Sequence, residues 1–310
     1  MKGLVTKSTG SWYSVRLDDG ADLECRIKGK FRIKGNTSTN PIAVGDRVLI
    51  DSDTDGTGII TELEPRRNYI IRKSVNLSRQ GHIIASNIDQ AVVFITLKQP
   101  DTPLGFVDRF LVTAEAYHIP CLLLFNKSDL LDADEKMIAG ELMNEYEQIG
   151  YHCMLFSTQN DDIQPLRELF HNKVTLISGQ SGAGKTSFIN ALEPGLQLRT
   201  GSISDYHGKG MHTTTFAEMF PLENGGWIID TPGIKGFGLI DMEKGELADY
   251  FPEIRALKAQ CKFSNCQHLN EPGCAVKKAV DEGSIWENRY MNYLSIRNDD
   301  EDETYRGKGY

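Results

Sequence analysis

Apolar and turn-forming residues alternate along this chain in three different rhythms. In the first stretch, short β-prone segments at 12–16, 21–27, 48–51 and 58–63 are broken by Asp19-Gly20, Gly45-Asp46 and Asp55-Gly56. Segments of that length, bounded by Gly and Asp, read as strands and tight turns. About five of them in so short a stretch predict a small closed β-barrel of the oligonucleotide-binding (OB) type. In the second stretch, apolar runs at 91–97, 121–125, 152–156, 174–177 and 227–229 are too continuous for strands with one wet face. They predict parallel strands buried on both faces. Helical periodicity at 106–117, at 135–149 and from Lys185 onward separates several of them, which gives an open α/β sheet with its ligand at the C-terminal ends of the strands. The third stretch is helical, with Cys274 opening one helix and 285–296 forming another. The predicted architecture is multidomain: an OB-fold barrel over 1–70, an α/β phosphate-loop domain over 71–240, and a mainly helical unit over 241–310.

Length agrees, since 310 residues suit about two to three domains. No apolar run follows Met1, and no stretch approaches the ~18 consecutive apolar residues of a membrane span. The expectation is a cytoplasmic protein with no membrane partner. Charge is uneven: residues 1–73 carry 13 Lys and Arg against 10 Asp and Glu, and the rest carries 21 against 33. Part of the acidity lies in a tail at 299–303, expected to be solvated. The net charge of −9 therefore does not exclude a nucleic-acid partner. A basic loop interrupts the first stretch, with Lys28, Lys30, Arg32 and Lys34 around Phe31. It reads either as a phosphate contact with a stacked base or as a solvated hairpin. Arg66, Arg67, Arg72 and Lys73 carry the basic character into the linker.

The chemistry sits at the strand ends. After the strand at 174–177 comes Gly179-Gln180-Ser181-Gly182-Ala183-Gly184-Lys185-Thr186, followed by Ser187. Glycines there let backbone N–H groups face phosphates at a helix N-terminus. Lys185 is expected at the β- and γ-phosphates, and the Thr186 hydroxyl on magnesium. Asn126-Lys127-Ser128-Asp129 follows the strand at 121–125. A carboxylate there accepts from the ring N–H and exocyclic amine of guanine, donors that adenine lacks in that arrangement. Ser157 and Thr158 end the next strand, where a backbone N–H would meet the guanine oxygen. Asp230 ends an apolar strand and opens Asp230-Thr231-Pro232-Gly233. It is expected to hold magnesium, and the Gly233 N–H to sense the γ-phosphate. His212-Thr213-Thr214-Thr215 supplies Thr214 and Thr215 as candidates to close over magnesium. The residue after Gly233 is Ile234, where ordinary GTPases place a water-orienting Gln. Unassisted hydrolysis should then be slow, on the order of ~10⁻⁴ s⁻¹, with His212 the nearest candidate to supply the missing group.

These motifs occur in an unusual order. The guanine motif precedes the phosphate loop, and Asp230 follows both. A second cluster lies downstream: Cys261, Cys266, His268 and Cys274. Three thiolates and an imidazole make a closed tetrahedral set, the structural kind of zinc site. Cys25, Cys121 and Cys153 stand in apolar contexts and read as core thiols.

Permuted order plus that cysteine pattern resembles the ribosome small-subunit-dependent GTPase A family of circularly permuted bacterial GTPases. The resemblance spans nearly the whole chain, including the run from Ile84 to Gln90 and Val107-Asp108-Arg109-Phe110. It implies GTP hydrolysis stimulated by the small ribosomal subunit, a role in late subunit maturation, and contact of the barrel and zinc unit with ribosomal RNA. It further implies GTP or GDP, magnesium and one structural zinc per chain, in a monomer. The family's Gly-Arg-Gly-Arg is Gly208-Lys209-Gly210-Met211 here, which removes a charge at Met211. An alternative from another class is a GTP-gated RNA-binding module with incidental hydrolysis. A small-molecule kinase would leave the guanine motif and the barrel unexplained.

Overall fold

Five strands close on themselves at the N-terminus of the computed structural model, which describes residues 1–27, 41–53, 56–73, 81–198, 217–231 and 245–298. They are β1 (Lys2–Ser8), β2 (Tyr13–Leu17), β3 (Asp22–Ile27), β4 (Arg47–Ser52) and β5 (Gly58–Leu63). The order is β1-β2-β3-β5-β4, and β4 returns to β1. Period-two alternation turns Val5, Val15, Cys25, Val48, Ile50 and Ile60 inward, all fully buried. The OB-type barrel is therefore present. The basic loop from Lys28 to Lys34 lies outside the described residues.

A hairpin of β6 (Tyr69–Lys73) and β7 (Gly81–Ser86) leads to the central sheet. This joint uses Arg66 and Arg67 of the linker internally. The Asp46 carboxylate is wholly buried and accepts from Arg66 Nε at 2.7 Å and Nη2 at 2.6 Å, from the Ala43 N–H at 2.8 Å and from the Ser86 hydroxyl at 2.6 Å. Arg67 pairs with Asp89 at 2.8 Å.

The central sheet comprises β8 (Gln90–Ile95), β9 (Cys121–Phe125), β10 (His152–Leu155), β11 (Val174–Gly179), β12 (Glu218–Pro221) and β13 (Trp227–Asp230). They lie in the order β10-β9-β8-β11-β13-β12, parallel except for β12. Helices cover both faces: α1 (Leu104–Ala116), α2 (Ala133–Ile149), α3 (Gln164–Leu169) and α4 (Lys185–Leu192). Val93, Ile95, Leu123 and Phe125 pack with Phe110 and Tyr146 on one side. Val92, Phe94 and Leu124 pack with Phe170 and Phe188 on the other. An Asp132–Glu135 capping box starts α2, and Gly150 in the left-handed region ends it. Burial pushes the Cys25 thiol up to about 11 and the Cys153 thiol up to about 12, and Cys121 rises further. All three pack against the apolar clusters of the barrel and the central sheet.

Barrel and central sheet are one ladder of eleven strands, joined where β1 pairs β12 at Lys7↔Glu218. Sequence reading placed no strand at 218–221, none at 69–73 or 81–86, and no helix at 164–169. Each is short and lacks a clear period.

The C-terminal unit holds α5 (Pro252–Lys258), α6 (Ala275–Asp281) and α7 (Glu287–Asn298). It is bolted to α1 by the fully buried Arg289, whose guanidinium donates to Asp108 at 2.7 Å and to Glu253 at 2.9 Å and faces the Phe251 ring at 4.6 Å. Asp108 also accepts from Tyr146 at 2.9 Å and from Asn292. Burial opposes the Arg289 charge, but Asp108 and Glu253 outweigh it and raise its pKa well above the usual value.

Candidate nucleotide site and metal centre

The strands β9, β11 and β13 run parallel, so the segments after Phe125, Gly179 and Asp230 emerge at one end of the sheet. Motifs more than a hundred residues apart in the chain thereby meet. Buried Asn126 makes the join: its Nδ2 donates to the Ala183 carbonyl of the phosphate loop at 2.9 Å. Its Oδ1 accepts from the Thr158 hydroxyl at 3.0 Å and more weakly from the Thr158 N–H at 3.3 Å. Asn126 thus ties three loops together. Gly184 is required beside it, because a Cβ there would lie 2.5 Å from Asn126 Nδ2 and its φ is +96°.

The phosphate loop, Gly179 through Gly184, links β11 to α4. Lys185 folds back over it and donates to the carbonyls of Gly179 and Gln180, each at 2.8 Å. Burial lowers the Lys185 pKa, and Asp230 partly offsets that. No side chain caps the N-terminus of α4, so its first N–H groups, with Thr186 and Ser187 half-buried in that turn, suit an anion. Ser181 and Gly182 are exposed at the loop's tip. Asp230 is buried at the end of β13, and the neighbouring Thr231 hydroxyl donates to the Ile177 carbonyl at 2.9 Å. That bond fixes the acid strand against the strand that feeds the loop.

At the base end, Asp129 stands on an exposed helical turn and accepts from the Ser157 hydroxyl at 2.6 Å. Lys127 adopts a left-handed backbone, φ 65°, and its ammonium donates to the Gln99 carbonyl. The Ser157 N–H is already taken by Asp161 at 2.6 Å. Of the two N–H groups read as able to meet the guanine oxygen, Thr158 is the one whose bond is weak. His212, Thr213, Thr214, Thr215, Gly233, Ile234 and Met211 lie outside the described residues.

The second cluster assembles fully. One ligand atom from each of Cys261, Cys266, His268 and Cys274 lies within 4.8 Å of the others. Bonds of ~2.3 Å to sulfur and ~2.0 Å to nitrogen set tetrahedral edges of ~3.8 Å between sulfurs and ~3.5 Å from sulfur to nitrogen. Cys261 and Cys274 sulfurs are 4.0 Å apart, and His268 Nδ1 is 3.6 and 3.5 Å from them. The donor set and spacing fit a four-coordinate metal ion. The loop is braced from outside: Glu271 accepts the N–H groups of Gln267 at 2.7 Å and Leu269 at 2.8 Å. Tyr290 and Tyr293 of α7 donate to the carbonyls of His268 at 2.7 Å and Gln267 at 2.8 Å. These braces hold His268 at φ 58°.

Sequence reading missed Asp161, Gln99, Glu271 and the two tyrosines. Only Asp161 left a signal, as an Asp in the polar turn Thr158-Gln159-Asn160-Asp161.

Two family models match the chain: "RsgA N-terminal domain" over residues 2–60 and "RsgA GTPase" over 63–240. A protein of Bacteroides fragilis, "Small ribosomal subunit biogenesis GTPase RsgA", is 55% identical over 307 residues, covering 99% of each chain. A Flavobacterium psychrophilum protein of the same name is 54% identical over 312 residues, 99% of this chain and 95% of that one. The crystal structure of YjeQ from Thermotoga maritima superposes with a TM-score of 0.74 at 34% identity, covering 96% of both chains. That of YloQ, described as a circularly permuted GTPase, gives 0.70 at 32% identity, covering 96% of this chain and 93% of that one.

Proposed function

This chain belongs to the RsgA GTPase family, and from that premise we propose that it hydrolyses GTP when it engages the small ribosomal subunit, late in that subunit's maturation. The observation that carries the nucleotide reading is the Asn126 bridge to the Ala183 carbonyl at 2.9 Å, which makes the base motif and the phosphate loop one site despite their order. In this reading Asp129 accepts from guanine, with Asn126, Lys127, Ser157 and Thr158 shaping the base pocket. Backbone N–H groups from Gly179 to Ser187 cradle the phosphates of GTP or GDP, and Lys185 leaves its loop carbonyls to meet the β- and γ-phosphates. Thr186, Asp230 and Thr214 or Thr215 would hold magnesium, which when bound supplies positive charge at the phosphate oxygens. Gly233 senses the γ-phosphate and His212 orients the attacking water.

We assign zinc to Cys261, Cys266, His268 and Cys274, a structural role because all four positions are filled. The working units are 1–70, 71–240 and 241–310, with barrel and zinc unit contacting ribosomal RNA. The relatives' printed names supply the small-subunit partner. A cytoplasmic monomer fits this reading, and no described helix is long and apolar enough to cross a membrane.

The test is the steady-state GTPase rate of the full chain alone, with purified small subunits and with large ones. A rise of about a hundredfold or more with small subunits alone is expected if the partner completes the site. Equal rates in the three conditions would sink the proposal and leave the GTP-gated RNA-binding module.

A further inference from the structure

Asp161 belongs to none of the motifs, yet it clamps the residue on which the base pocket turns. Its carboxylate accepts the Ser157 N–H at 2.6 Å, and its own N–H donates to the Ser157 carbonyl at 2.9 Å. Residue 157 is thus held at both backbone groups by one partner. Its hydroxyl oxygen accepts the N–H groups of Gln159 and Asn160, each at 3.3 Å. A hydroxyl has two acceptor lone pairs and one proton. With both lone pairs filled, the proton is directed outward, and it goes to Asp129 Oδ1 at 2.6 Å. The next donor along, the Thr158 N–H, makes only a 3.3 Å contact to Asn126 Oδ1, which a better-placed acceptor can replace.

We propose that Asp161 is a positioning residue for guanine recognition. The inference rests on the guanine-site reading given under Proposed function. By occupying the Ser157 N–H, Asp161 leaves the Thr158 N–H as the donor that meets the carbonyl oxygen at position 6 of the base. By fixing the 157–161 turn, it also aims the Ser157 hydroxyl at Asp129 and orients that carboxylate toward the ring N–H and exocyclic amine. A purine with an amine at position 6 would face the Thr158 N–H donor to donor, and that clash is sharp only while the turn is rigid. Among the described residues, Asp161 meets the base pocket through Ser157. It is exposed, so its substitution hollows no core.

The test uses the full-length chain in competition against a fluorescent guanine nucleotide, with GTP and ATP as competitors, beside the single-turnover hydrolysis rate at saturating GTP. Asp161→Ala should weaken GTP by about tenfold, the effect of losing one charge-assisted hydrogen bond. ATP affinity and the saturated hydrolysis rate should not move, so the GTP-to-ATP preference also falls about tenfold. Asp161→Asn keeps an oxygen acceptor and should return GTP affinity to within about twofold of the parent. Unchanged GTP affinity and preference in Asp161→Ala would overturn the inference. So would equal losses for GTP and ATP, the mark of general loosening, or an Asp161→Asn chain as impaired as the alanine variant. A parent protein that itself fails to prefer GTP over ATP would overturn the guanine-site reading, and this inference with it.

Discussion

Asp129 gives one oxygen to the Ser157 hydroxyl and keeps its remaining lone pairs for a base. Asp129→Asn replaces an acceptor with an amide donor, which suits the extra carbonyl of xanthine. Relative affinity for the xanthine nucleotide should therefore rise, and an unchanged ratio in competition binding would remove Asp129 from the base site. Lys185 carries a pH dependence. Burial lowers its pKa in the free chain, whereas phosphate oxygens alongside favour the ammonium and raise it. Binding then takes up protons wherever the free-state amine is neutral. Affinity for GTP should be level below the lowered pKa and fall as pH rises through it, and titrations across the alkaline range check this. The residue types of both sites were legible because each motif is local in sequence. The parts played by Asp161, which closes on both backbone groups of Ser157, and by Gln99, whose carbonyl accepts from the Lys127 ammonium, were not, since the turn of the chain places them.

Among the elements, those with long continuous runs were read well. The apolar strands from Gln90 to Asp230 needed only their lack of alternation, and Cys274 does open α6, its thiol accepting from Lys277 N–H. β12 was missed because four residues, Glu-Met-Phe-Pro, carry too little pattern, and its place is set by pairing with β13 and β1. The metal loop stands between these cases. Its ligand spacing was plain, but the bracing by Glu271, Tyr290 and Tyr293 depends on α7 folding back over it. An ion bound to these four ligands would contribute its binding free energy, ~10–16 kcal/mol, as local folding energy. A strong chelator should speed amide exchange at Gln267 and Leu269 and across 261–274, while GTP affinity holds. Loss of GTP binding over the same metal dependence would contradict a separate structural centre.

At the scale of the whole molecule, the units are joined by buried charge. Arg289 links α7 to α1 through Asp108, and Arg66 and the hairpin residue Ser86 meet the barrel at Asp46. Removing one partner strands the other charge in the interior, so Arg289→Ala should lower stability by about 3–5 kcal/mol. Urea unfolding measures that loss, and replacing Asp108 as well should recover part of it. The half-exposed Lys7–Glu218 pair at the barrel seam, 40% and 35% accessible, should contribute under ~1 kcal/mol. In this permuted chain nothing local announces either joint, and both were found only in three dimensions. The seam also bears on the order in which the molecule is built. Lys7 is synthesised 211 residues before Glu218, by which time all five barrel strands have left the tunnel. The strands β9, β10 and β11 each emerge after a neighbour they pair with, so the central sheet grows outward from β8. The edge of β1 must wait through nearly all of that for β12. The seam becomes available after all of those pairings, with only β13 still to come, and a stalled or truncated product lacking 218–221 would carry a closed barrel whose β1 lacks its strand partner at Lys7.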